Sequence, residues 1–340
     1  VYDILQIVSA NRSVILKASR DVMDNQHRNE WYGPEATMFK KCDGYNLINY
    51  QCEGTGTCLD YSLFPGIDLI FMDFNCSDTF REPMVNRDIL DIRHYRQGRV
   101  EFEFQNQKAF HMRENEFCIN TLTNMPASYS FPLGKCSGVS FVMDRDSLDS
   151  ATIRQLSLYG IDIKNLGRHL ELDAHWYICK TPQNLLHIFD ELYEAKGKES
   201  AAYFRIKILE LLYHVQKLRS GDRYAAAYYS KEHIEIVKRA RKLLIGELET
   251  KIPLEFLIAG ENISMVTFQA IFKQVYGDSP YAHLKKYKMN CAAVRLREGK
   301  ESISEIAVSL GYSNASKFSK AFQDVFGVLP KDYRRQKQSI

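Results

Sequence analysis

Two short segments, fifty positions apart, carry the same residue types at the same spacing. Each contains a polar capping residue, two Phe four positions apart, an aromatic residue followed by Gly, and a Pro. These residues are Ser264, Phe268, Phe272, Tyr276-Gly277 and Pro280 in the first segment, and Asn314, Phe318, Phe322, Phe326-Gly327 and Pro330 in the second. Ser and Asn favour helix N-termini, Phe residues at i and i+4 share one helix face, and Gly commonly ends a helix. The repeat predicts two amphipathic helices whose other faces could read DNA bases.

The residues around these helices complete a larger unit. Before the second segment, residues 304–310 have the pattern of a short helix, and Gly311-Tyr312 supplies a turn. A short helix, a tight glycine turn and a second amphipathic helix form a helix-turn-helix. Between the segments, residues 281–298 read as one continuous helix, roughly 25 Å long. Such a spacer could hold two recognition helices near one turn of B-DNA apart, roughly 34 Å.

Residues 302–334 resemble the C-terminal signature of the AraC/XylS family of transcription regulators. The matching positions are Ile306-Ala307, Gly311-Tyr312, Phe318, Phe322, Phe326-Gly327, Pro330 and Tyr333-Arg334. The resemblance extends over about residues 230–335 and implies helix-turn-helix units at about 254–275 and 304–326. The first unit departs from the pattern, since Leu257-Ile258 stands where the family usually has Leu-Ala, and Gly260 follows. A bulky Ile at a close helix contact leaves the angle of the first recognition helix open.

The resemblance also implies roles for individual residues. The positions that match the family's base-reading residues are Val266, Gln269, Ala270, Ala315, Ser316, Ser319 and Lys320. For the small residues among them, the alternative is close approach to DNA without specificity. The candidates for phosphate contact are Ser264, Lys273, Lys285, Lys288, Asn314, Lys317 and Arg334. We expect Ser264 and Asn314 to cap helices whose N-termini approach phosphate, and the basic residues to make binding sensitive to salt.

The upstream part of the chain has a different pattern. From about residue 35 to 143 it reads as short β-strands, and residues 99–104 alternate apolar and charged side chains, as in a strand with one wet face. Helical spacing follows at residues 149–158, 182–193 and 201–218, where the apolar faces pack on the domain's own sheet or form a dimer interface. We therefore predict an α+β protein of several domains: a cupin-like antiparallel β-barrel (1–145), a helical segment (146–222) and an all-α tandem helix-turn-helix domain (223–340).

Charge and cysteine usage agree with this division. Residues 230–340 contain 19 Lys and Arg against 12 Asp and Glu, a balance of +7, whereas the preceding part contains 26 against 30, a balance of −4. A basic domain joined to an acidic one suits a phosphate-binding module attached to one that does not bind DNA. The eight cysteines include no CxxC pair and are read as reduced, structural thiols. No apolar run approaches the roughly 18 residues of a membrane span, so we expect a cytoplasmic protein without membrane contact.

In proteins of the resembling family, the upstream domain often binds a small effector and dimerises. The sequence therefore predicts an effector-responsive regulator, with promoter DNA as its partner and a small-molecule effector, a second copy of the chain and RNA polymerase as further candidates. Arg93, His94, Tyr95, Phe102, Phe104 and His111 lie on expected strands and either line a cavity or serve as core and surface residues. The effector's identity, the promoter and the sign of regulation, for which activation is the working assumption, stay open.

The sequence leaves two alternative functions. One is an enzymatic or metal-dependent cupin fused to the DNA-binding domain, but His94 and His111 are seventeen positions apart, and the sequence contains no HExxH, GxSxG or P-loop motif. We therefore expect no enzyme activity, no cofactor and no metal. The other is a constitutive DNA-binding protein whose upstream domain serves only to dimerise.

Overall fold

The computed structural model describes residues 32–81, 87–121, 125–163, 165–172, 176–223 and 228–338. Within these residues, no helix is both long enough and apolar enough to cross a membrane. The described residues fall into two compact units. Unit 1 contains residues 32–106 and 110–223, and unit 2 contains residues 107–109 and 228–338.

Unit 1 is built mainly from antiparallel strands. They are β1 (Ala36–Lys41), β2 (Asn46–Tyr50), β3 (Thr55–Phe64), β4 (Ile67–Asn75), β5 (Thr79–Arg81), β6 (Ile89–Gly98), β7 (Val100–Glu103), β8 (Lys108–Met112), β9 (Glu116–Thr121), β10 (Ser128–Ser130), β11 (Cys136–Asp144) and β12 (Tyr177–Lys180). The larger sheet has the order β1-β2-β3-β4-β11-β6-β9-β12 and is antiparallel throughout. The smaller sheet continues from β8 through β7 and β10 to β5, in that order. The first two residues of β8, Lys108 and Ala109, belong to unit 2 and pair there with Tyr229 and Ser230.

The predicted β-rich antiparallel domain is confirmed, but its strands do not close into the predicted barrel. In the part of the chain that the structure describes, the order of the larger sheet has two ends, β1 and β12. One face of the larger sheet is covered by the smaller sheet and the other by helices, so its apolar side chains are buried without closure into a barrel. One face packs on the smaller sheet around Phe80, Phe102 and Phe110, all at most 1% exposed. The cupin-like barrel is therefore corrected to two antiparallel sheets packed face to face.

The other face of the larger sheet is covered by the helices α1 (Ser150–Leu158), α2 (Gln183–Ala195) and α3 (Ala201–Val215). Helix α1 begins at Asp149, whose carboxylate accepts a hydrogen bond from the Thr152 backbone N–H at 2.6 Å. Helices α2 and α3 bury their apolar stripes in the same core as β3, β4, β6 and β11. The sequence left open whether these apolar stripes pack on the domain's own sheet or form a dimer interface, and the structure shows them packed on the sheet. Short 3-10 turns lie at Arg145–Ser147, Arg168–Leu170 and Ser220–Asp222.

Strand β7 differs from the expected strand with one wet face. Val100 and Phe102 are buried as the alternation requires, but Glu101 is also buried, at 4% exposure. The reason is a partner from β8: His111 Nε2 lies 2.8 Å from Glu101 Oε2, and the His111 side chain is fully buried. A buried carboxylate tolerates desolvation only when it is paired in this way, and the pairing is not visible in the local sequence.

Unit 2 is helical. It contains the two-residue strand β13 (Tyr229–Ser230) and the helices α4 (Lys231–Gly246), α5 (Leu254–Leu257), α6 (Met265–Tyr276), α7 (Pro280–Glu298), α8 (Ile303–Ser309), α9 (Ala315–Phe326) and α10 (Pro330–Gln338). Helix α7 supplies Met289, Ala293 and Leu296 to a core that α8 and α9 complete. The predicted all-α domain is confirmed, with the expected continuous helix between the two repeats.

Candidate nucleic-acid interface

Helix α6 has one face buried in the core of unit 2 and the opposite face exposed to solvent. Phe268 and Phe272 are 0% exposed, as the repeat predicts. Val266 on the other side is 80% exposed, and Gln269 and Ala270 are also exposed. Because residues three and four positions apart share a helix face, the Phe pair orients the open side away from the core. The helix begins at Ser264, whose Oγ accepts a hydrogen bond from the Thr267 backbone N–H at 3.1 Å.

Helix α9 repeats this arrangement. Phe318 and Phe322 are 0% exposed. Asn314 Oδ1 accepts a hydrogen bond from the Lys317 backbone N–H at 2.9 Å and so caps the helix. The predicted base-reading positions lie on the open side, with Ser316 and Lys320 exposed and Ala315 and Ser319 half-buried. The structure thus places all seven predicted base-reading side chains at the surface of their helices.

The short helices that precede α6 and α9, namely α5 and α8, differ in length and in how their N-termini are capped. Helix α8 is stabilised by a capping box, in which Ser302 Oγ accepts from the Glu305 N–H at 3.2 Å and Glu305 Oε2 accepts from the Ser302 N–H at 2.7 Å. The turn that follows requires glycine at Gly311. This residue has φ +76°, and a Cβ there would lie 2.5 Å from the Glu249 carbonyl oxygen.

The first helix-turn-helix, formed by α5 and α6, has a shorter first helix and a less tightly packed turn. Helix α5 has only four residues and ends at Ile258, which is half-buried. Gly260 also has a positive φ of +79°, but a Cβ there would meet nothing within 4 Å. The departure from the family pattern at Leu257-Ile258 therefore coincides with a shorter supporting helix and a more open turn.

The basic residues proposed for phosphate contact fall into two groups. Lys273 and Lys317 are exposed and form no ion pair within the described residues. Others are engaged: Lys285 Nζ lies 2.7 Å from Asp324 Oδ2, and Arg334 donates to the Glu301 carbonyl oxygen at 2.7 Å. Lys288 is half-buried, and this desolvation lowers the pKa of its ammonium group. Only the first group has side chains wholly available to a ligand.

A buried histidine holds α6 against its neighbours. His283 of α7 packs edge-on to Phe272 and against Tyr276, with ring centroids 5.7 and 5.2 Å away. Its Nε2 accepts a hydrogen bond from Arg241 Nε of α4 at 3.0 Å. Burial, with a contribution from the Arg241 charge, lowers the pKa of His283 to about 4. The ring is therefore neutral near pH 7 and packs helix α6 against α7 and α4. No pattern in the local sequence identified His283.

Unit 1 contains a cavity of about 100 Å³ between its two sheets. Its walls are mostly aromatic and aliphatic, and its lining includes Tyr50, Ile70, Phe74, Arg93, Tyr95 and Tyr129. Its lining also contains a charged group, in which Asp91 is ion-paired with Arg93 and accepts a hydrogen bond from Ser140 Oγ at 2.6 Å. This arrangement can hold a small, largely apolar molecule that carries a polar group.

Of the six strand residues proposed for a cavity, the structure brings Arg93 and Tyr95 to this one and not the others. Phe102 and Phe104 are core residues, and His111 pairs with Glu101. His94 points to the opposite face of the sheet and stacks on Phe189 of α2, with ring centroids 4.2 Å apart. Burial lowers the pKa of His94 to about 3. Asp91 and Ser140 were missed, since only the pairing of β6 with β11 brings them together.

Several known proteins and one family model are similar to parts of this chain. A family model described as a helix-turn-helix domain matches residues 258–336. A protein of Streptomyces lividans described as an AraC-like transcription regulator is 40% identical over 73 residues, which are 22% of this chain and 24% of that protein. The HTH-type transcriptional activator RhaR of Mannheimia succiniciproducens is 23% identical over 212 residues, 60% of this chain and 63% of its own.

Among solved structures, the C-terminal domain of AraT, a response regulator from Geobacillus stearothermophilus, is 35% identical, with a TM-score of 0.28. That match covers 30% of this chain and 84% of the AraT domain. The chain spans about a quarter of the length of the first curated relatives that it matches. The residues matched by the family model, 258–336, include all of α6–α9 and most of α10.

Proposed function

Because residues 258–336 form a helix-turn-helix domain of the AraC/XylS family, we propose that the whole protein is a transcription regulator that binds promoter DNA. The observation that carries the proposal is the repeat of one surface on two helices. In α6 and in α9, a fully buried Phe pair fixes which side chains remain outside. Two such faces in one compact unit suit two successive major-groove contacts.

The outward side chains on these helices differ in what they can read. Gln269 can form a bidentate pair with adenine, and Lys320 can donate to the guanine acceptors O6 and N7. Val266 offers exposed methyl groups that can contact a thymine methyl. Ala270, Ala315, Ser316 and Ser319 allow the backbone to approach closely, and the two Ser hydroxyls can bond to either kind of base edge. We assign the sequence preference mainly to Gln269 and Lys320.

Phosphate contact is assigned first to the lysines that form no ion pair with any residue in the described part of the chain. Lys273 and Lys317 can neutralise phosphates at no cost of a broken salt bridge. Ser264 and Asn314 cap the N-termini of α6 and α9, where helix dipoles favour an anion. Lys285 would first have to leave Asp324, Arg334 would have to leave the Glu301 carbonyl, and Lys288 is half-buried. These three are secondary candidates.

For unit 1 we propose that the cavity binds a small effector, which makes DNA binding responsive to it. The support is a preformed, mostly apolar space whose lining includes the hydrogen-bonded polar group Asp91, Arg93 and Ser140. A ligand changes DNA binding only if it binds one arrangement of the protein better than another. In this proposal promoter DNA and the effector are partners, and dimerisation and contact with RNA polymerase remain candidate features of the regulator.

The test of DNA recognition is in vitro selection of bound sites by the full chain, followed by affinity measurements on two variants of α6. Gln269→Ala should relax the preference at one base position, by about 1–3 kcal/mol of discrimination. Lys273→Ala, one helical turn away on the same helix, should weaken binding to every sequence alike. If both variants distinguish the selected site from a scrambled one as the wild type does, the assignment of helix faces is wrong.

The effector proposal has a separate test, because a constitutive DNA-binding protein would show the same DNA contacts. Thermal unfolding of the full chain against a panel of small amphipathic molecules should reveal a stabilising ligand. A ligand at a hundred times its dissociation constant stabilises by about 2.7 kcal/mol. An aromatic side chain at Ile70, which lines the cavity, should remove the response, whereas one at exposed Leu158 should not. Stabilisation that persists in the Ile70 variant would place the effector elsewhere.

A further inference from the structure

Three potential metal ligands converge at one end of the larger sheet of unit 1. The Sγ atoms of Cys52 and Cys76 and a carboxylate oxygen of Asp78 all lie within 4.8 Å of one another. Cys52 follows β2, and Cys76 and Asp78 follow β4. The spacing of the cysteines predicts structural thiols throughout, and these two are 24 positions apart. The fold, not the spacing, brings them together.

The turn that carries Cys52 is held firmly against the end of β4. Asp78 Oδ2 accepts a hydrogen bond from the Glu53 backbone N–H at 3.0 Å. Gly54 has φ +138°, and a Cβ there would overlap the Asn75 carbonyl oxygen, one residue before Cys76. A larger residue would therefore separate the two thiols. The close approach of the turn to β4 positions the donors before any ion arrives.

We propose that Cys52, Cys76 and Asp78 bind a thiophilic divalent metal ion of the zinc type. Two sulfur donors exclude the hard ions Mg²⁺ and Ca²⁺, which require oxygen ligands. The carboxylate oxygen disfavours Cu⁺, which prefers sulfur alone. Zn²⁺ accepts both donor types at distances of about 2.0–2.3 Å, so closing a group already within 4.8 Å needs only small side-chain shifts.

The degree of burial suits an ion that enters from solvent. Cys76 is buried, at 4% exposure, while Cys52 and Asp78 are half-buried and open a path from outside. Binding converts both thiols to thiolates and releases two protons, so the three ligands carry three negative charges against two positive ones. The three protein ligands leave one tetrahedral position for water or another ligand.

Such an ion would act on the wall of the cavity. Tyr50 and Phe74 lie two positions before Cys52 and Cys76, line the cavity, and pack with ring centroids 5.1 Å apart. A metal that ties the end of β2 to the end of β4 would hold these two rings together. The site itself does not depend on the proposed effector function, since its ligands and its test are separate.

The test uses the full chain, reduced and freed of metal by a chelator. Titration with Cd²⁺ should produce thiolate-to-metal charge-transfer absorption that saturates at one ion per chain, and Zn²⁺ should displace it. Cys52→Ser and Cys76→Ser should abolish the signal. Cys42→Ser and Cys291→Ser, at half-buried cysteines outside the cluster, should leave it unchanged. Asp78→Asn should weaken binding without abolishing it, because the two thiolates remain.

A second measurement avoids variants that fold poorly. In the reduced wild type, Zn²⁺ should slow alkylation of Cys52, as located by peptide mass spectrometry, while alkylation of Cys42 and Cys291 continues at its metal-free rate. Unchanged alkylation of Cys52 with saturating Zn²⁺, or a Cd²⁺ signal that survives in both Ser variants, would overturn the proposal. So would equal protection of all three cysteines, which would indicate nonspecific metal binding.

Discussion

The ion pair between Lys285 and Asp324 makes a quantitative prediction about DNA binding in salt. Each phosphate neutralised by a lysine contributes about 0.9 to the slope of log affinity against log salt concentration. Lys317 is exposed and has no ion pair within the described residues, so Lys317→Ala should lower the slope by about that amount. The loss of affinity between about 50 and 200 mM salt should then be about 3.5-fold smaller than in the wild type.

Lys285→Ala should change the slope much less, because Asp324 lies 2.7 Å from the ammonium group and already neutralises part of its charge. Asp324→Asn frees the lysine and should steepen the slope toward one additional phosphate contact. The assay is fluorescence anisotropy on a selected DNA site over a series of salt concentrations. Lys317→Ala preserves the helix cap, since Asn314 bonds to the backbone N–H. An unchanged slope for Lys317→Ala, or equal changes for both lysines, would refute the reasoning.

Two further substitutions test the supports of each unit. Gly311→Ala forces a Cβ to 2.5 Å from the Glu249 carbonyl oxygen at a positive φ, and should cost about 1–3 kcal/mol in urea unfolding. Gly260→Ala, at a similar φ but in open space, should cost less; an equal loss would contradict the role of the close contact. For His94, burial lowers the pKa to about 3, below its ordinary value near 6.5 in the unfolded chain. The unfolded state therefore binds the proton first, so stability is complete above about pH 6.5 and falls by up to about 1.4 kcal/mol per pH unit toward pH 3. His94→Gln should flatten this dependence in unfolding measured from pH 7 to pH 4, and an unaltered pH profile would exclude His94 as its source.

Helices α6 and α9 could be predicted from the sequence because their signals are local. A capping Ser or Asn, a Phe pair and a terminal Gly lie within one helix length, and each has a direct physical effect there. The structure places Phe268 and Phe318 fully inside, and Gly277 and Gly327 end the helices with positive φ. The exposed faces followed from the same periodicity.

The arrangement of unit 1 could not be predicted to the same depth. Strand positions are marked by residue types, but strand pairing depends on contacts between residues far apart in the chain. Asp91 meets Ser140 across β6 and β11, and Glu101 meets His111 across β7 and β8. The helical layer and the smaller sheet together cover the larger sheet, so the chain could satisfy its apolar faces without a barrel. Neither the pairing of the strands nor the way the sheet faces are covered can be recognised from the sequence of a single strand.

Strand β6 carries neighbouring residues with opposite surroundings. Arg93 and Tyr95 line the cavity between the sheets. His94, between them, stacks on Phe189, and its Nδ1 lies 3.1 Å from the Tyr193 hydroxyl, which donates to the His94 carbonyl oxygen. A close-packed interior has little compressible volume to absorb a shift of this strand. A molecule that pushes on one side of β6 must therefore move the α2 side chains on the other. Strand β6 alone separates the cavity from helix α2 at this point, so it is the element through which a ligand in the cavity would affect the helices.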